Sequence, residues 1–232
     1  MGSASLFFGL SPNNALLSDT NNELVNCFQQ VKTSPHGVIS HLSKFESNKE
    51  YYYFLRALET ETLAPDMRAA RFIYLTRFCF NGLYRTNQSG RFNVPFGGGK
   101  SGSLPSPNTI IRSSEQLQSA SIKCNDFEIT LDSVEAGDFI YIDPPYYVEG
   151  KRRTNQYGPN GFSKSDIGRL AEGLTQINRR GAHFVLSYEK SNEAHALAQN
   201  WKIIEVAVRR NVAGFAKHRS TQVELIATNI AA

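Results

Sequence analysis

The chain has 232 residues, 41% of them hydrophobic and 11% aromatic, and its formal net charge is +4 with a pI near 8.9. This composition excludes a disordered tail, and the mild positive charge is compatible with a polyanionic partner without requiring one. The sequence has no apolar run of membrane-spanning length and no basic segment ahead of a hydrophobic one, so we expect a cytoplasmic protein. Its three cysteines, Cys27, Cys79 and Cys124, form no C-x-x-C pair, and its five histidines form no cluster. We therefore expect free thiols and no metal site.

The N-terminal part begins with alternating helices and strands. The apolar pattern predicts a helix at residues 6–10, a strand at residues 15–19 and a helix at residues 22–32. Between residues 33 and 119 the pattern becomes mostly helical, basic and polar. This stretch contains predicted helices at 49–58 and 66–80, a β-hairpin at 84–96 that turns at 88–90, and a Gly/Ser/Pro/Lys-rich loop at 97–108.

The C-terminal part alternates near-continuous apolar strands with amphipathic helices. Strands are predicted at 121–126, 138–143, 182–188, 201–209 and 221–229. One helix is expected to start at an N-cap, Ser165, and to end at Gly181, and another to cover residues 192–200. This alternation indicates an α/β fold with a sheet covered on both faces.

The segment YIDPPYY at residues 141–147 carries the strongest chemical signal. An apolar strand delivers Asp143 to its carboxyl end, where ligands collect in open α/β sheets. Pro144 and Pro145 lack N–H groups, so nearby carbonyl oxygens can face a ligand, and Tyr146 adds a flat aromatic face. Together these groups suit a planar molecule whose NH2 group donates two hydrogen bonds. The alternative is a strand-ending turn in which Asp143 caps a helix.

The motif Asp143-Pro144-Pro145-Tyr146 resembles the catalytic motif of amino-methyltransferases, which act on adenine N6 or cytosine N4. The segments FCFNGLYR at 78–85, GRFNVPFG at 90–97 and VELIATN at 223–229 are similar to the Dam-type adenine-specific DNA methyltransferases. The resemblance covers nearly the whole chain in the family's motif order. It implies S-adenosylmethionine as cofactor, double-stranded DNA as partner and a bacterial or phage source. The expected biological role of the methylation is restriction-modification or genome marking.

The resemblance also implies a fold, which is a Rossmann-like methyltransferase sheet with an inserted DNA-recognition domain. Residues 1–32 and 120–232 are expected to form the catalytic domain. Residues 33–119 are expected to form the helical, hairpin-bearing insertion. Family members carry a lysine-containing cofactor motif and a Glu-Pro-Phe segment ahead of the position matched by Met1, so we expect the first strand of the sheet to be missing. A truncated record is favoured over a split enzyme that another chain completes and over a degenerate DNA-binding remnant.

The chemistry expected of this family explains the catalytic motif. The amino nitrogen of adenine is a poor nucleophile because its lone pair is delocalised into the ring. Hydrogen bonds accepted by Asp143 and by the Pro144 carbonyl would localise that lone pair for direct attack on a sulfonium methyl group. The target base must leave the duplex, and Tyr146 is expected to stack on it.

The resemblance assigns cofactor-binding roles to residues in three parts of the chain. Gly2 and Ser3 match the end of a glycine-containing loop, and Asp19 matches the acidic residue directed at the cofactor ribose. Asp126 and Phe127 match the residues that hold the cofactor adenine, and Asp143 is expected to border the cofactor as well. Local sequence leaves two alternatives open, a helix-capping role for Asp19 and an ordinary strand end at residues 126–127.

The resemblance places DNA-binding residues in the hairpin and in two loops. The hairpin residues combine charge with hydrogen-bonding capacity, which suits both phosphate and base-edge contacts. They are Arg85, Asn87, Gln88, Ser89 and Arg91, with further phosphate contacts expected from Lys100 and Arg152. A solvated hairpin tip is the simpler alternative. For the whole protein the alternative functions are a non-catalytic or split DNA-binding remnant that needs an N-terminal partner segment, and methylation of cytosine N4 or of RNA.

Overall fold

The computed structural model describes residues 1–100, 102–145, 162–209 and 221–231. These residues form a mixed α/β protein that divides into two compact units, Met1–Asp126 and Phe127–Ala232. Each unit has its own hydrophobic core. This division reflects packing, and the assignment of residues 33–119 to DNA recognition stays a prediction.

The first unit is mainly helical and contains a parallel pair of strands. Its elements are α1 (Ser5–Leu10), β1 (Ala15–Asp19), α2 (Asn22–Thr33), α3 (Pro35–Leu42), α4 (Lys49–Ala57), α5 (Pro65–Phe78), α6 (Pro107–Leu117) and β2 (Ala120–Cys124). Short 3-10 turns lie at Thr60–Thr62, Phe80–Gly82 and Gly98–Lys100. In the parallel pair, Ala15 lies opposite Ala120 and Asp19 lies opposite Cys124. Because parallel strands end at the same edge, Asp19 and Cys124 share the carboxyl edge of this pair.

The core of the first unit positions the segment at residues 84–96. Tyr52 and Tyr74 are completely buried, and their hydroxyls donate to the carbonyls of Val94 (2.9 Å) and Glu46 (2.6 Å) respectively. Arg56 donates a second hydrogen bond to the Val94 carbonyl, at 3.0 Å. A buried carbonyl left without a donor costs free energy, so the bonds from Tyr52 and Arg56 to the Val94 carbonyl hold the segment to α4.

The second unit has a four-stranded sheet with helices packed against it. Its elements are α7 (Phe127–Asp132), β3 (Phe139–Ile142), α8 (Lys164–Arg179), β4 (His183–Glu189), α9 (Asn192–Ala198), β5 (Lys202–Arg209) and β6 (Thr221–Thr228). The strand order is β3-β4-β6-β5; β3 is parallel to β4, and β6 is antiparallel to both β4 and β5. Leu170, Leu174 and Ile177 of α8 belong to the same core as Phe184 and Leu186 of β4. Burial of each such side chain contributes about 1.5–3 kcal/mol.

The predicted start of α8 at Ser165 is wrong, because the N-cap is Ser163. The Ser163 hydroxyl accepts from the Asp166 N–H (3.4 Å), and the Asp166 carboxylate accepts from the Ser163 N–H (2.8 Å). This reciprocal pair is a capping box, which needs an acceptor side chain three residues after the cap. Ser165 is followed at that distance by Gly168, which has no side chain to complete the box.

Several other boundaries also differ from prediction. The loop expected at 97–108 ends earlier, because Ser106 caps α6 and Pro107 occupies its first turn, where a missing N–H is harmless. Helices α3, α6 and α7 were not predicted, and β2 ends at Cys124 rather than at residue 126. Within the predicted hairpin the pairing is limited to the isolated bridge Thr86–Phe92, and Phe96 at its end bridges to Cys79 outside it. We keep the name hairpin for residues 84–96. The strand predicted at Ala15–Asp19 is confirmed in full.

Candidate functional site

Asp143 lies at the carboxyl end of β3, with its side chain exposed to solvent. Ile142 immediately before it is buried, so the core fixes the strand up to the residue that precedes the carboxylate. The parallel neighbour β4 gives this edge the geometry at which α/β sheets bind ligands. Pro144 and Pro145 follow in half-buried positions and donate no backbone hydrogen bonds.

A polar cluster of Tyr141, Ser187 and Glu224 lies beside Asp143. Ser187 is buried, and its hydroxyl is 3.4 Å from a carboxylate oxygen of Glu224. Burial raises the pKa of Tyr141; the negative charges of Asp143 and Glu224 add to this, and a hydrogen bond with Ser187 opposes it. Tyr141 is therefore a neutral phenol at physiological pH. Sequence analysis missed this cluster, although Tyr141 precedes Asp143 by two positions and the period of a strand puts alternate side chains on one face.

The Asp19 carboxylate is held at the carboxyl end of β1. Its Oδ2 accepts from the Gly2 N–H (3.2 Å) and lies 3.3 Å from the Met1 ammonium, while Oδ1 accepts from the Asn21 N–H (2.9 Å). Asn21, and not Asp19, caps α2, because the Asn21 side chain accepts from two N–H groups of the first helical turn. The helix-capping alternative for Asp19 is therefore wrong. Among the described residues Oδ1 accepts this one hydrogen bond, which leaves a lone pair for a ligand.

The other residues predicted to bind a cofactor lie in different surroundings. Asp126 is half-buried just after β2, and Ser3 is exposed, with its hydroxyl 2.7 Å from that of Ser5. Phe127 is the first residue of α7. Its ring lies 6.2 Å from the Phe162 ring, and the Arg169 guanidinium lies 4.7 Å above it. This packing makes Phe127 a half-buried member of the second unit.

The hairpin exposes residues 87–91 at its tip. The Asn87 side chain accepts from the N–H groups of Ser89 (3.0 Å) and Arg91 (2.9 Å), so it shapes the turn. At the base, the guanidinium of Arg85 donates through Nε to Oδ1 of Asn93, at 2.8 Å. Arg85 and Gln88 are exposed, as contact with DNA requires.

Arg91 has a partner that sequence analysis did not identify. Its guanidinium lies 2.9 Å from a carboxylate oxygen of Glu59, which precedes the 3-10 turn after α4. A cavity of about 580 Å³ lies beside this ion pair; it is lined by Tyr84, Arg91 and Phe92 of the hairpin and by Glu59 and Glu61. The two acidic residues are 30 or more positions away in sequence, and local patterns give no sign of such a pairing.

The structure does not describe the side chains of three residues that were predicted to bind DNA or the target base. Tyr146 and Arg152 lie outside the described residues, as does the side chain of Lys100. Among the residues that the structure describes, no group of three or more His, Cys, Asp and Glu side chains could hold a metal ion. Within the same ranges, every helix is too short or too polar to cross a membrane.

Comparison with known proteins links these features to a family. The model of the D12 class N6 adenine-specific DNA methyltransferases matches residues 1–212. The chain is 35% identical to the type II methyltransferase M1.LlaDCHI of Lactococcus lactis, over 99% of this chain and 84% of that protein. It is 34% identical to the type II methyltransferase M.MjaIII of Methanocaldococcus jannaschii (80% and 70% covered) and 29% identical to a DNA adenine methylase of Vibrio cholerae (98% and 84%). The chain belongs to the family of D12 class N6 adenine-specific DNA methyltransferases.

Proposed function

We propose that this chain transfers the methyl group of S-adenosylmethionine to the N6 amino group of adenine in double-stranded DNA. One observation carries the proposal. In a member of this methyltransferase family, the exposed Asp143 carboxylate and two prolines follow a strand that has a parallel neighbour. A carboxylate and a free carbonyl at such an edge suit a planar group that carries an NH2.

The proposed fold is a Rossmann-like methyltransferase sheet with an inserted DNA-recognition domain. Parallel strands must be joined by a crossover connection, and the β1-to-β2 connection contains α2 to α6 and the hairpin. Residues 33–119 thus lie inside one crossover, which is the position of an insertion. This position supports the assignment of these residues to a separate task, the recognition of DNA.

The residues at the carboxyl edge of β1 and β2 fit the proposed cofactor. Asp19 keeps a lone pair for a ribose hydroxyl, and Gly2 adds no side chain beside it. Asp126 follows the adjacent strand, where its carboxylate would accept from the amino group of the cofactor adenine. When bound, S-adenosylmethionine supplies a methyl group activated by a sulfonium. Ser3 is proposed to border the same molecule.

At the target base, Asp143 and Pro144 act as hydrogen-bond acceptors. The Asp143 carboxylate accepts one N–H of the adenine amino group, and the Pro144 carbonyl accepts the other. These two bonds draw the nitrogen toward tetrahedral geometry and concentrate its lone pair, so positioning and electrostatics provide most of the catalysis. As the N–CH3 bond forms, the S–CH3 bond would break and leave the sulfur as a neutral thioether. The extra proton on N6 would pass to the Asp143 carboxylate or to water. Tyr146 is proposed to stack on the flipped base, and the fixed φ of Pro145 restricts the backbone immediately before it.

DNA binding is proposed to depend on the hairpin. Arg85, Gln88, Ser89 and Arg91 present charge and hydrogen-bonding groups at an exposed tip that Asn87 shapes. Lys100 and Arg152 are proposed to add phosphate contacts. Phosphate contacts of this kind supply affinity, whereas contacts with base edges supply sequence preference.

The substitution Asp143→Ala tests the proposed chemistry. We expect incorporation of tritiated methyl groups into DNA to fall by roughly 10²-fold or more, because a transition-state acceptor is lost. DNA affinity should stay nearly unchanged. The matched control is Asp132→Ala, which removes an exposed carboxylate at the end of α7. Incorporation by Asp143→Ala at the wild-type rate would contradict the role of Asp143, and DNA binding by the wild type without incorporation would favour the non-catalytic alternative.

The identity of the methylated base tests the substrate. Digestion of the labelled DNA to nucleosides should give N6-methyladenine. Labelled N4-methylcytosine would favour the other branch of the amino-methyltransferases, and labelling of RNA but not of DNA would contradict the proposed substrate.

A further inference from the structure

The ion pair between Arg91 and Glu59 joins the hairpin tip to the segment after α4. The guanidinium and the carboxylate are 2.9 Å apart, and their side chains are 66% and 51% exposed. Water therefore reaches both groups, and the pair can open without exposing the core. An exposed pair of this kind is weak, and salt screens it.

A second carboxylate lies close to the same arginine. The pKa of Glu61 is lowered, first by a hydrogen bond from its own backbone N–H. Burial opposes this effect, and the Thr60 hydroxyl and the charges of Arg91 and Arg68 add to the lowering. Glu61 is thus ionised under ordinary conditions. Two negative charges therefore act on Arg91: Glu59 in direct contact and Glu61 nearby in the lining of the same cavity.

The other arginine of the hairpin has a neutral partner. Arg85 donates to the side-chain oxygen of Asn93, which orients its guanidinium, and it forms no ion pair with the residues that the structure describes. Only Arg91 of these two must therefore break an ion pair before it can bind another anion. The two arginines should consequently respond differently to DNA.

We propose that Glu59 is a specificity-determining residue, which competes with DNA phosphates for Arg91. The inference rests on the proposed function, because it requires that Arg91 contacts DNA. A well-placed phosphate forms a bidentate, charge-assisted contact with arginine that is stronger than an exposed ion pair. Arg91 therefore moves to DNA when the duplex is seated correctly, and stays on Glu59 when the fit is poor. The competing charge acts against binding to unsuitable DNA.

The substitution Glu59→Gln tests the competition on a short duplex of mixed sequence. Since an exposed pair is weak, we expect affinity at low salt to rise roughly two- to five-fold. The slope of log affinity against log salt should steepen by up to about 0.9, because Arg91 then contacts a phosphate in more of the complexes. Glu115→Gln is the control, because it removes the same charge from an exposed position on α6 and should change affinity less.

The double variant Glu59→Gln/Arg91→Gln separates competition from a general charge effect. The gain seen with Glu59→Gln should disappear when Arg91 is absent. A gain that persists in the double variant, or a gain no larger than that of Glu115→Gln, would overturn the inference while leaving the proposed function intact. If Arg91→Gln alone changes neither affinity nor salt slope, Arg91 makes no DNA contact and both the inference and this part of the proposed function fail.

Discussion

Asp19 and Cys124 lie directly opposite each other at the carboxyl ends of the parallel strands β1 and β2. Cys124 is exposed, whereas the other two cysteines of the chain are buried. Since Asp19 is proposed to contact the ribose of the cofactor, the Cys124 thiol would border the same proposed site. Because Cys124 lies opposite Asp19 and is exposed, its rate of chemical modification can be used to detect cofactor binding.

We predict that a thiol-alkylating reagent modifies Cys124 selectively and that S-adenosylmethionine slows the reaction. The thiolate is the reactive form, and burial raises the pKa of Cys27 to about 12 and that of Cys79 to about 11, so both stay protonated at neutral pH. The rate of modification at each cysteine can be followed by mass spectrometry of peptides.

Two controls complete the labelling experiment. Cys124→Ser should remove nearly all labelling of the folded protein. A nucleotide such as ATP, which lacks the sulfonium and carries phosphates, should protect much less. An unchanged labelling rate at a cofactor concentration that calorimetry shows to be saturating would place the cofactor elsewhere.

The sequence was sufficient to predict that β1 to β6 exist, although not all of their ends, and to place Asp143 directly after β3. Phe184 and Leu186 belong to an apolar run because their strand is buried, and burial leaves a direct mark on local composition. The end of β3 could be predicted for the same reason, since Asp143 is the first charged residue after an apolar strand.

Two side-chain contacts near the candidate sites could not be predicted, because they join residues that are far apart in the sequence. Glu59 pairs with Arg91 from another part of the chain, and Glu224 reaches Ser187 from a neighbouring strand. Such pairs depend on how elements pack, which periodicity does not report. The prediction of the N-cap of α8 was wrong for a different reason. Ser163 and Ser165 are two residues apart, and only Ser163 has an acceptor side chain three residues later, so only Ser163 forms the capping box.

The capping box of α8 gives a direct test of the corrected helix start. We predict that Ser163→Ala lowers the free energy of unfolding by about 1 kcal/mol, because the Asp166 N–H loses its acceptor. Ser165→Ala, in the first turn, should change it by only a few tenths of that amount. Urea unfolding of both variants measures the difference. Equal losses would show that the box does not define the start of the helix.

The other half of the box predicts a dependence on pH. Burial acts to raise the pKa of Asp166, but hydrogen bonds from Ser163 and the charge of Arg169 outweigh it and lower the pKa. A carboxyl whose pKa is lower in the folded state stabilises the protein above its unfolded pKa, and this contribution is lost as the pH falls through the folded value. Asp166→Asn should therefore cost roughly 0.5–1 kcal/mol at neutral pH and progressively less in acid. A difference that stays constant to low pH in urea titrations would contradict this assignment.

Arg85 provides the test of the hairpin as a DNA-binding element. If it contacts a phosphate, Arg85→Gln should weaken binding to all sequences and flatten the slope of log affinity against log salt by about one unit. If it contacts a guanine edge instead, sequence preference at that position should relax by roughly 1–3 kcal/mol. Arg112→Gln, which removes an exposed positive charge from α6, is the matched control. If neither the salt slope nor the sequence preference changes, Arg85 makes no DNA contact and the alternative of a solvated hairpin tip is favoured.

Asn93→Ala extends this test by separating the charge of Arg85 from its orientation. Asn93 accepts the Nε–H of Arg85 at 2.8 Å, so its removal leaves the guanidinium charged but free to rotate. A phosphate contact should survive at lower affinity because ordering the side chain then costs conformational entropy, and the salt slope should keep its wild-type value. A base-edge contact needs fixed geometry, so in that case sequence preference should relax as far as it does in Arg85→Gln. Wild-type affinity and preference in Asn93→Ala, together with a clear loss in Arg85→Gln, would show that the charge of Arg85 matters and its orientation by Asn93 does not.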